Sequence, residues 1–270
     1  MSITITIDGR PFVCEQGEYL ADVAQRNGID IPVLCGKQEV LSGSGCCRVC
    51  IVEVIESGRS KVVASCIYPV QRACEVHTAN ERIVRERGVI LALLKGLAPE
   101  SAFIAEMAQT YGAPYIERLD PSEGEGSCIL CGLCVVACQS LGAGAISSVS
   151  RGVNKKVSTP YDEASPDCIG CGSCAAVCPT RCISVQSEND RQTIWGQEFL
   201  LAYCAVCGAE LGTRASVEYA GHRAQDKWAD TAKEVATEAD LENEVLQALC
   251  PLCKKKQMSE AFVYASAPGA

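Results

Sequence analysis

The chain has 270 residues, 48% of them hydrophobic and only 5% aromatic, enough for two or three packed domains. A formal charge of −9 argues against a nucleic-acid partner. Twenty cysteines stand against two histidines, His77 and His222, and a disulfide scaffold this rich in cysteine is ordinarily a much shorter secreted chain. Metal binding carried by thiolates in a reducing compartment, the cytoplasm, is therefore the expectation. The start, MSITITIDGR, alternates like a strand and lacks the basic stretch and apolar core of a signal peptide. The longest apolar run, Val89 to Leu94, is too short to span a bilayer.

In chain order, residues 3–7 (ITITI) and 11–14 (PFVC) flank Asp8-Gly9-Arg10 and predict a hairpin. Tyr19 to Asn27 has helical spacing and stops at Gly28. A loop with Cys35, Cys47 and Cys50 leads to β-branched strands at 49–55 and 61–64 and then to Cys66. This predicts a small α+β sheet domain ending near Thr78. Residues 81–118 hold no cysteine, and Ile83, Ile90, Leu94 and Leu97 share one helical face. Phe103, Ile104 and Met107 suggest a second helix, and Asp120 to Ser127 reads as a polar linker.

An internal repeat follows. CILCGLCVVAC at 128–138 returns as CIGCGSCAAVC at 168–178, each copy trailed by a strand-like run, 145–147 and 182–184. Last come Cys204-x2-Cys207 and Cys250-x2-Cys253, with Leu241, Val245, Leu246 and Leu249 predicting an amphipathic helix into the second pair.

The second repeat ends in Cys178-Pro179 and has the spacing of a bacterial ferredoxin run, in which the fourth thiolate serves the other cluster. That assigns Cys128, Cys131, Cys134 and Cys178 to one 4Fe-4S cluster and Cys168, Cys171, Cys174 and Cys138 to a second. Gln139 stands where proline is usual, which alters the local turn and removes no ligand. Gly132 and Gly172 are expected to let the backbone approach the clusters. Cys35, Cys47, Cys50 and Cys66 suit a 2Fe-2S centre better than a zinc knuckle, which ordinarily has two C-x2-C pairs. The C-terminal four do form two such pairs, so zinc is favoured there over a further iron centre. Cys14, Cys46, Cys74 and Cys182 remain and are expected to act as small buried hydrophobes.

The segments IPVLC (31–35), GCCRVC (45–50), SCIYP (65–69) and VHT (76–78) resemble the ferredoxin-like N-terminal part of three families. These are the large iron-sulfur subunit of respiratory complex I, the small diaphorase subunit of NAD-linked hydrogenases, and iron-only hydrogenases. The resemblance extends to about residue 190 and implies that Cys47 and Cys50 lie on iron, with Cys46 in a variable slot. Those families usually carry an extra cluster bound by one histidine and three cysteines, whereas residues 79–127 contain neither residue type. The remaining length leaves no room for a hydrogen-activating domain.

The fold expected is α+β and multidomain. It comprises a β-grasp 2Fe-2S domain (1–79), a helical connector (80–126), a two-cluster 4Fe-4S ferredoxin domain (127–190) and a zinc-ribbon-like, four-cysteine region (191–270). No dinucleotide fingerprint, P-loop or nucleophile elbow is present, so no active site is expected. The resemblance implies an electron-relay subunit of a cytoplasmic NAD(P)H-linked hydrogenase complex, which could be electron-bifurcating. Its partners would be a flavin-containing NAD(P)H-oxidising subunit, a small 2Fe-2S subunit, a hydrogenase or other catalytic subunit, and ferredoxin, with no nucleic acid and no membrane span. The alternatives are a relay in a formate dehydrogenase or flavin-based transhydrogenase, or a redox sensor.

Overall fold

A computed structural model describes residues 1–36, 45–119, 126–229 and 249–256. The chain divides into two compact units. The first comprises Met1–Gly142, Ile146–Ser158 and Ser173–Ile183; the second comprises Ala143–Ala145, Thr159–Gly172 and Ser184–Ala270.

The first unit opens with β1 (Ser2–Ile7) and β2 (Arg10–Glu15), an antiparallel hairpin. Asp8 and Gly9 take φ of 46° and 78°, the left-handed pair that matches the twist of the strands. Helix α1 (Leu20–Arg26) ends at Asn27, as the glycine after it predicts. A second hairpin joins β3 (Ile51–Glu56) to β4 (Arg59–Ala64), and β5 (Glu75–His77) completes a sheet of order β2-β1-β5-β3-β4. Only the β1–β5 pair is parallel. Leu20, Val23 and Ala24 of α1 share a core with Ile5, Val52 and Val76 of the sheet. Each fully buried aliphatic side chain contributes roughly 1.5–3 kcal/mol.

Helices α2 (Glu81–Leu97) and α3 (Ala102–Thr110) follow, capped by Asn80 and Ser101, whose side-chain oxygens accept from Ile83 N and Ile104 N. The buried face of α2 differs from the one expected. It runs through Ile83, Arg87, Leu91 and Leu94, while Ile90 is half-buried and Leu97 is 45% exposed. An arginine in the apolar stripe disguised the true face. Arg87, only 3% exposed, donates to the carbonyls of Val49 (3.0 Å), Ile51 (2.7 Å) and Thr78 (3.0 Å). It thereby fastens α2 to the cysteine loop and the start of β3. The linker expected from Asp120 to Ser127 lies mostly outside the described residues.

Helix α4 (Leu133–Leu141) and helix α5 (Ser173–Ala176) occupy equivalent places in the repeat, yet one has nine residues and the other four. Proline explains the difference. Pro179 lacks an N–H and disfavours helical backbone in the residue before it, whereas Gln139 lets α4 run past Cys138. Strand β6 (Ser147–Val149) pairs with β7 (Lys156–Ser158). The run at 182–184 is not a strand; the chain turns at Arg181 (φ 54°), and β8 (Gln186–Glu188) begins later.

In the second unit, β8, β9 (Arg191–Ile194), β10 (Gln197–Tyr203) and β11 (Glu210–Thr213) form an antiparallel sheet, followed by α6 (Arg214–Ala229). The helix expected around Leu241 to Leu246 lies outside the described residues. Among the described residues no helix is long and apolar enough to cross a membrane.

Replacing Arg87 with alanine strands three buried carbonyls and is expected to cost about 3 kcal/mol. Urea denaturation followed by circular dichroism checks this. Arg87→Lys should recover less than half of the loss, because one ammonium cannot reproduce the planar fork.

Candidate metal centres

All twenty cysteines lie among the described residues and none forms a disulfide. Most meet other thiols. In the first unit, Cys35, Cys47, Cys50 and Cys66 are all buried. Arg48 between the C-x2-C pair has φ 59°, which curls the loop, and Cys66 sits on a single helical turn after β4. Cys50 and Cys66 bring their Sγ atoms within 3.3 Å. Cys35 receives hydrogen bonds from Cys46, Cys47 and Cys66 and lies well below the usual thiol range, while Cys47 and Cys66 are pushed up as the protonated partners. Cys66 also draws Cys50 down to about 6. Cys50 and Cys66 are in direct contact, and Cys35 shares protons with Cys46, Cys47 and Cys66. A buried, all-sulfur set of four fits a two-iron centre, in which each iron takes two thiolates.

Cys46 is exposed, and its thiol also donates to the carbonyl of Cys131 at 3.2 Å. This corrects the expectation of a buried hydrophobe. Cys14 and Cys74 do fill that role in the sheet core, where burial pushes Cys74 up to about 11.

Cys128, Cys131, Cys134 and Cys178 also lie in the first unit. Gly132, with φ 77°, opens α4, and no protein atom lies within 4 Å of where its Cβ would be. Its left-handed backbone, rather than crowding by the protein, calls for glycine. The amide of Leu130 donates to Cys128 Sγ at 3.4 Å. Burial, followed by the charge of Cys131, pushes Cys134 up to about 12; Cys178 lies close enough to act on both Cys131 and Cys134. The four thiols act on one another within one unit, and a set with this motif suits a 4Fe-4S cube.

Cys182 departs from expectation as Cys46 does. It is exposed and lies against one of these ligands, with its Sγ 3.5 Å from that of Cys178. Periodicity carries no sign of this contact, which a turn creates.

Of the other expected tetrad, Cys138 and Cys174 belong to the first unit and Cys168 and Cys171 to the second. Their grouping rests on the motif. The loop from Cys168 to Cys171 is clamped within its own unit. Thr213 Oγ1 donates to the carbonyl of Ile169 at 2.5 Å, Gln192 Nε2 donates to that of Gly170, and a Cβ on Gly170 (φ 66°) would stand 2.6 Å from the Phe199 ring.

The sulfurs of Cys204, Cys207, Cys250 and Cys253 all lie within 4.8 Å of one another. Cys204 and Cys207 sit in the turn between β10 and β11. The amides of Cys250 and Cys253 donate to Cys204 Sγ (3.3 Å) and Cys250 Sγ (3.4 Å). Backbone amides of Cys250 and Cys207 draw Cys204 down to about 6. A tetrahedral zinc with Zn–S of about 2.3 Å separates its sulfurs by about 3.8 Å, so this quartet fits with little movement.

Two family matches fall on these sites. Residues 1–81 match the 2Fe-2S iron-sulfur cluster binding domain, and residues 124–185 match the 4Fe-4S dicluster domain. The chain carries iron–sulfur domains of both kinds. It is 31% identical over 207 residues to the NADP-reducing hydrogenase subunit HndD of Solidesulfovibrio fructosivorans, covering 66% of this chain and 35% of that one. It is 29% identical over 245 residues to the NADPH-Fe(3+) oxidoreductase subunit alpha of Geobacter sulfurreducens, covering 80% and 28%. The chain thus spans about a third of the length of these relatives. A crystal structure of an NAD+-reducing NiFe-hydrogenase in the H2-reduced state superposes with a TM-score of 0.51 at 26% identity, covering 59% of this chain and 75% of that one.

Cys47→Ala is expected to abolish the 2Fe-2S electron paramagnetic resonance (EPR) signal and Cys46→Ala to leave it intact; the reverse would shift the ligand register by one. Gly170→Ala should lower 4Fe-4S content per chain while sparing the 2Fe-2S signal, as checked by iron analysis and EPR on the same sample.

Proposed function

We propose that the chain is an electron-relay subunit of a multi-subunit NAD(P)H-linked oxidoreductase, a cytoplasmic hydrogenase complex being the reading its relatives favour. The observation that carries this is the gathering of two complete thiol tetrads in one compact unit, joined by the Cys46 hydrogen bond to Cys131.

In this reading Cys35, Cys47, Cys50 and Cys66 hold a 2Fe-2S cluster on a β-grasp domain. Cys128, Cys131, Cys134 and Cys178 hold one 4Fe-4S cluster, and Cys168, Cys171, Cys174 and Cys138 hold the other. The last four cysteines hold zinc, which closes the C-terminal sheet without redox change. Bound clusters supply single-electron carriage. The protein's own share is to exclude water, to place amides such as Leu130 N on sulfur, and to keep the tetrads in a packed interior.

The partners that follow are a flavin subunit at one end and a catalytic subunit or ferredoxin at the other. Likeness to an NADPH-Fe(3+) oxidoreductase subunit supports a second reading in which the catalytic partner is not a hydrogenase.

Anaerobic redox titration followed by EPR is expected to show one 2Fe-2S and two 4Fe-4S signals, and metal analysis about ten irons and one zinc per chain. Absence of a reducible 2Fe-2S signal would sink the relay. Purification from the native host should bring a flavoprotein with the chain, whereas a chain that is stable and monodisperse alone would favour a sensor.

A further inference from the structure

Arg87 brings a buried positive charge to the N-terminal tetrad, and the fold supplies no acid to pair with it. The residue is 3% exposed, and its Cζ lies 5.7 Å from the centre of the Tyr111 ring. Nε donates to the carbonyl of Val49 at 3.0 Å and Nη2 to that of Ile51 at 2.7 Å. Those two residues flank Cys50, which is itself fully buried. The third hydrogen bond goes to the carbonyl of Thr78, so every acceptor is a neutral peptide oxygen. Among the described residues no carboxylate forms an ion pair with Arg87. Burial pushes the guanidinium down, while Tyr111, Cys50 and then the exposed Asp30 act the other way. It stays protonated at any working pH.

We infer that Arg87 sets the reduction potential of the 2Fe-2S centre held by Cys35, Cys47, Cys50 and Cys66, its fixed charge favouring the reduced form. The inference rests on the cluster assignment made above. Four thiolates and two sulfides outweigh two ferric ions, so the oxidised centre is already an anion. Reduction turns one ferric ion ferrous and adds one negative charge. The electron comes from the flavin partner proposed above, or from dithionite in the test; no bond forms or breaks and no proton moves. A cation held behind Cys50 gains more from the reduced centre than from the oxidised one and so raises the potential. The low-dielectric interior strengthens this effect and keeps salt from screening it. Arg87 does not touch iron; it acts across the two peptide groups on either side of a ligand.

The alternative role is a strut, in which the three hydrogen bonds matter and the charge does not. A strut explains the carbonyl contacts, but neutral amides donate to carbonyls as well, and an unpaired cation is costly to bury. An anion bound at the tetrad accounts for the charge.

The test uses the full chain, produced and handled anaerobically, as wild type, Arg87→Lys, Arg87→Gln and Arg87→Met. The readouts are the midpoint of the 2Fe-2S EPR signal in a dithionite titration and, on the same preparations, stability in urea. Poised at the wild-type midpoint, Arg87→Gln and Arg87→Met should show a reduced-to-oxidised ratio about tenfold lower, a fall of about 59 mV for one electron. Arg87→Lys keeps the charge and loses the planar fork, so its ratio should stay within about threefold of wild type even though most of the stability is lost. A midpoint that follows stability instead, with Arg87→Lys closer to Arg87→Gln than to wild type, overturns the inference, as does a neutral variant that titrates with the wild type. Loss of the 2Fe-2S signal from both neutral variants also counts against it, because the charge would then serve assembly and not potential. Where one neutral variant holds the centre and the other does not, the one that holds it decides. A wild-type chain with no reducible 2Fe-2S signal would instead remove the cluster assignment itself.

Discussion

Burying several thiols against one another is the constraint on which the rest of this molecule depends. A thiolate taken out of water is costly unless something positive meets it, and a second thiolate beside it raises that cost. In the N-terminal site the sulfurs meet this demand by sharing protons, Cys35 held low by three donors and Cys50 by Cys66. Metal ions do the same with greater charge, replacing those protons, so that binding releases protons and strengthens as pH rises. Arg87 adds a fixed cation to the setting. Its guanidinium lies near enough to feel the Cys50 thiolate, although its hydrogen bonds all go to carbonyls. It serves as a strut for the loop and as a positive charge close to the site, and net charge is one of the factors that set a cluster's potential.

The duplicated ferredoxin motif shows how equal ligand spacing tolerates unequal surroundings. At the third residue of each run, Leu130 and Gly170 both take positive φ, 54° and 66°. Leucine there carries strain of order 1–3 kcal/mol that its surroundings must hold in place, and its neighbour Ile129 is buried in the core shared with α2 and α3. Glycine in the second copy is required for a further reason, because Phe199 and Thr213 occupy the space a side chain would need. The ligand positions follow one rule while the packing that supports them has diverged.

The cysteine spacings were legible because ligand geometry acts over two or three residues of chain, and the first hairpin because Asp8-Gly9 dictates its own turn. What was hidden arose from tertiary contact. Strand β5 is three residues long, too short for alternation to be seen, and is a strand because β1 and β3 flank it. Arg87 reads as a surface residue until three carbonyls are found around it. Cys46 and Cys182 look like spare thiols in the sequence, and their contacts with Cys131 and Cys178 come from loops folding back, which no periodicity records.

The cysteine-free connector makes sense in the same terms. Residues 79–127 offer no thiol or imidazole to a further cluster, and α2 and α3 instead contribute Leu91, Leu94, Ile104 and Ala108 to a core that also contains Cys35, Cys47 and Cys131. Apolar side chains thus fill the space between the two tetrads and hold both in one packed body. Electron transfer between fixed sites weakens steeply with distance and with every gap in the intervening matter, so a dense interior spanned by a thiol-to-carbonyl hydrogen bond favours direct passage. Cys46 occupies the middle of that span, touching Cys35 on one side and the Cys131 carbonyl on the other. On the proposed cluster assignment, a residue in the variable slot of the first motif would stand beside both sites without binding iron at either.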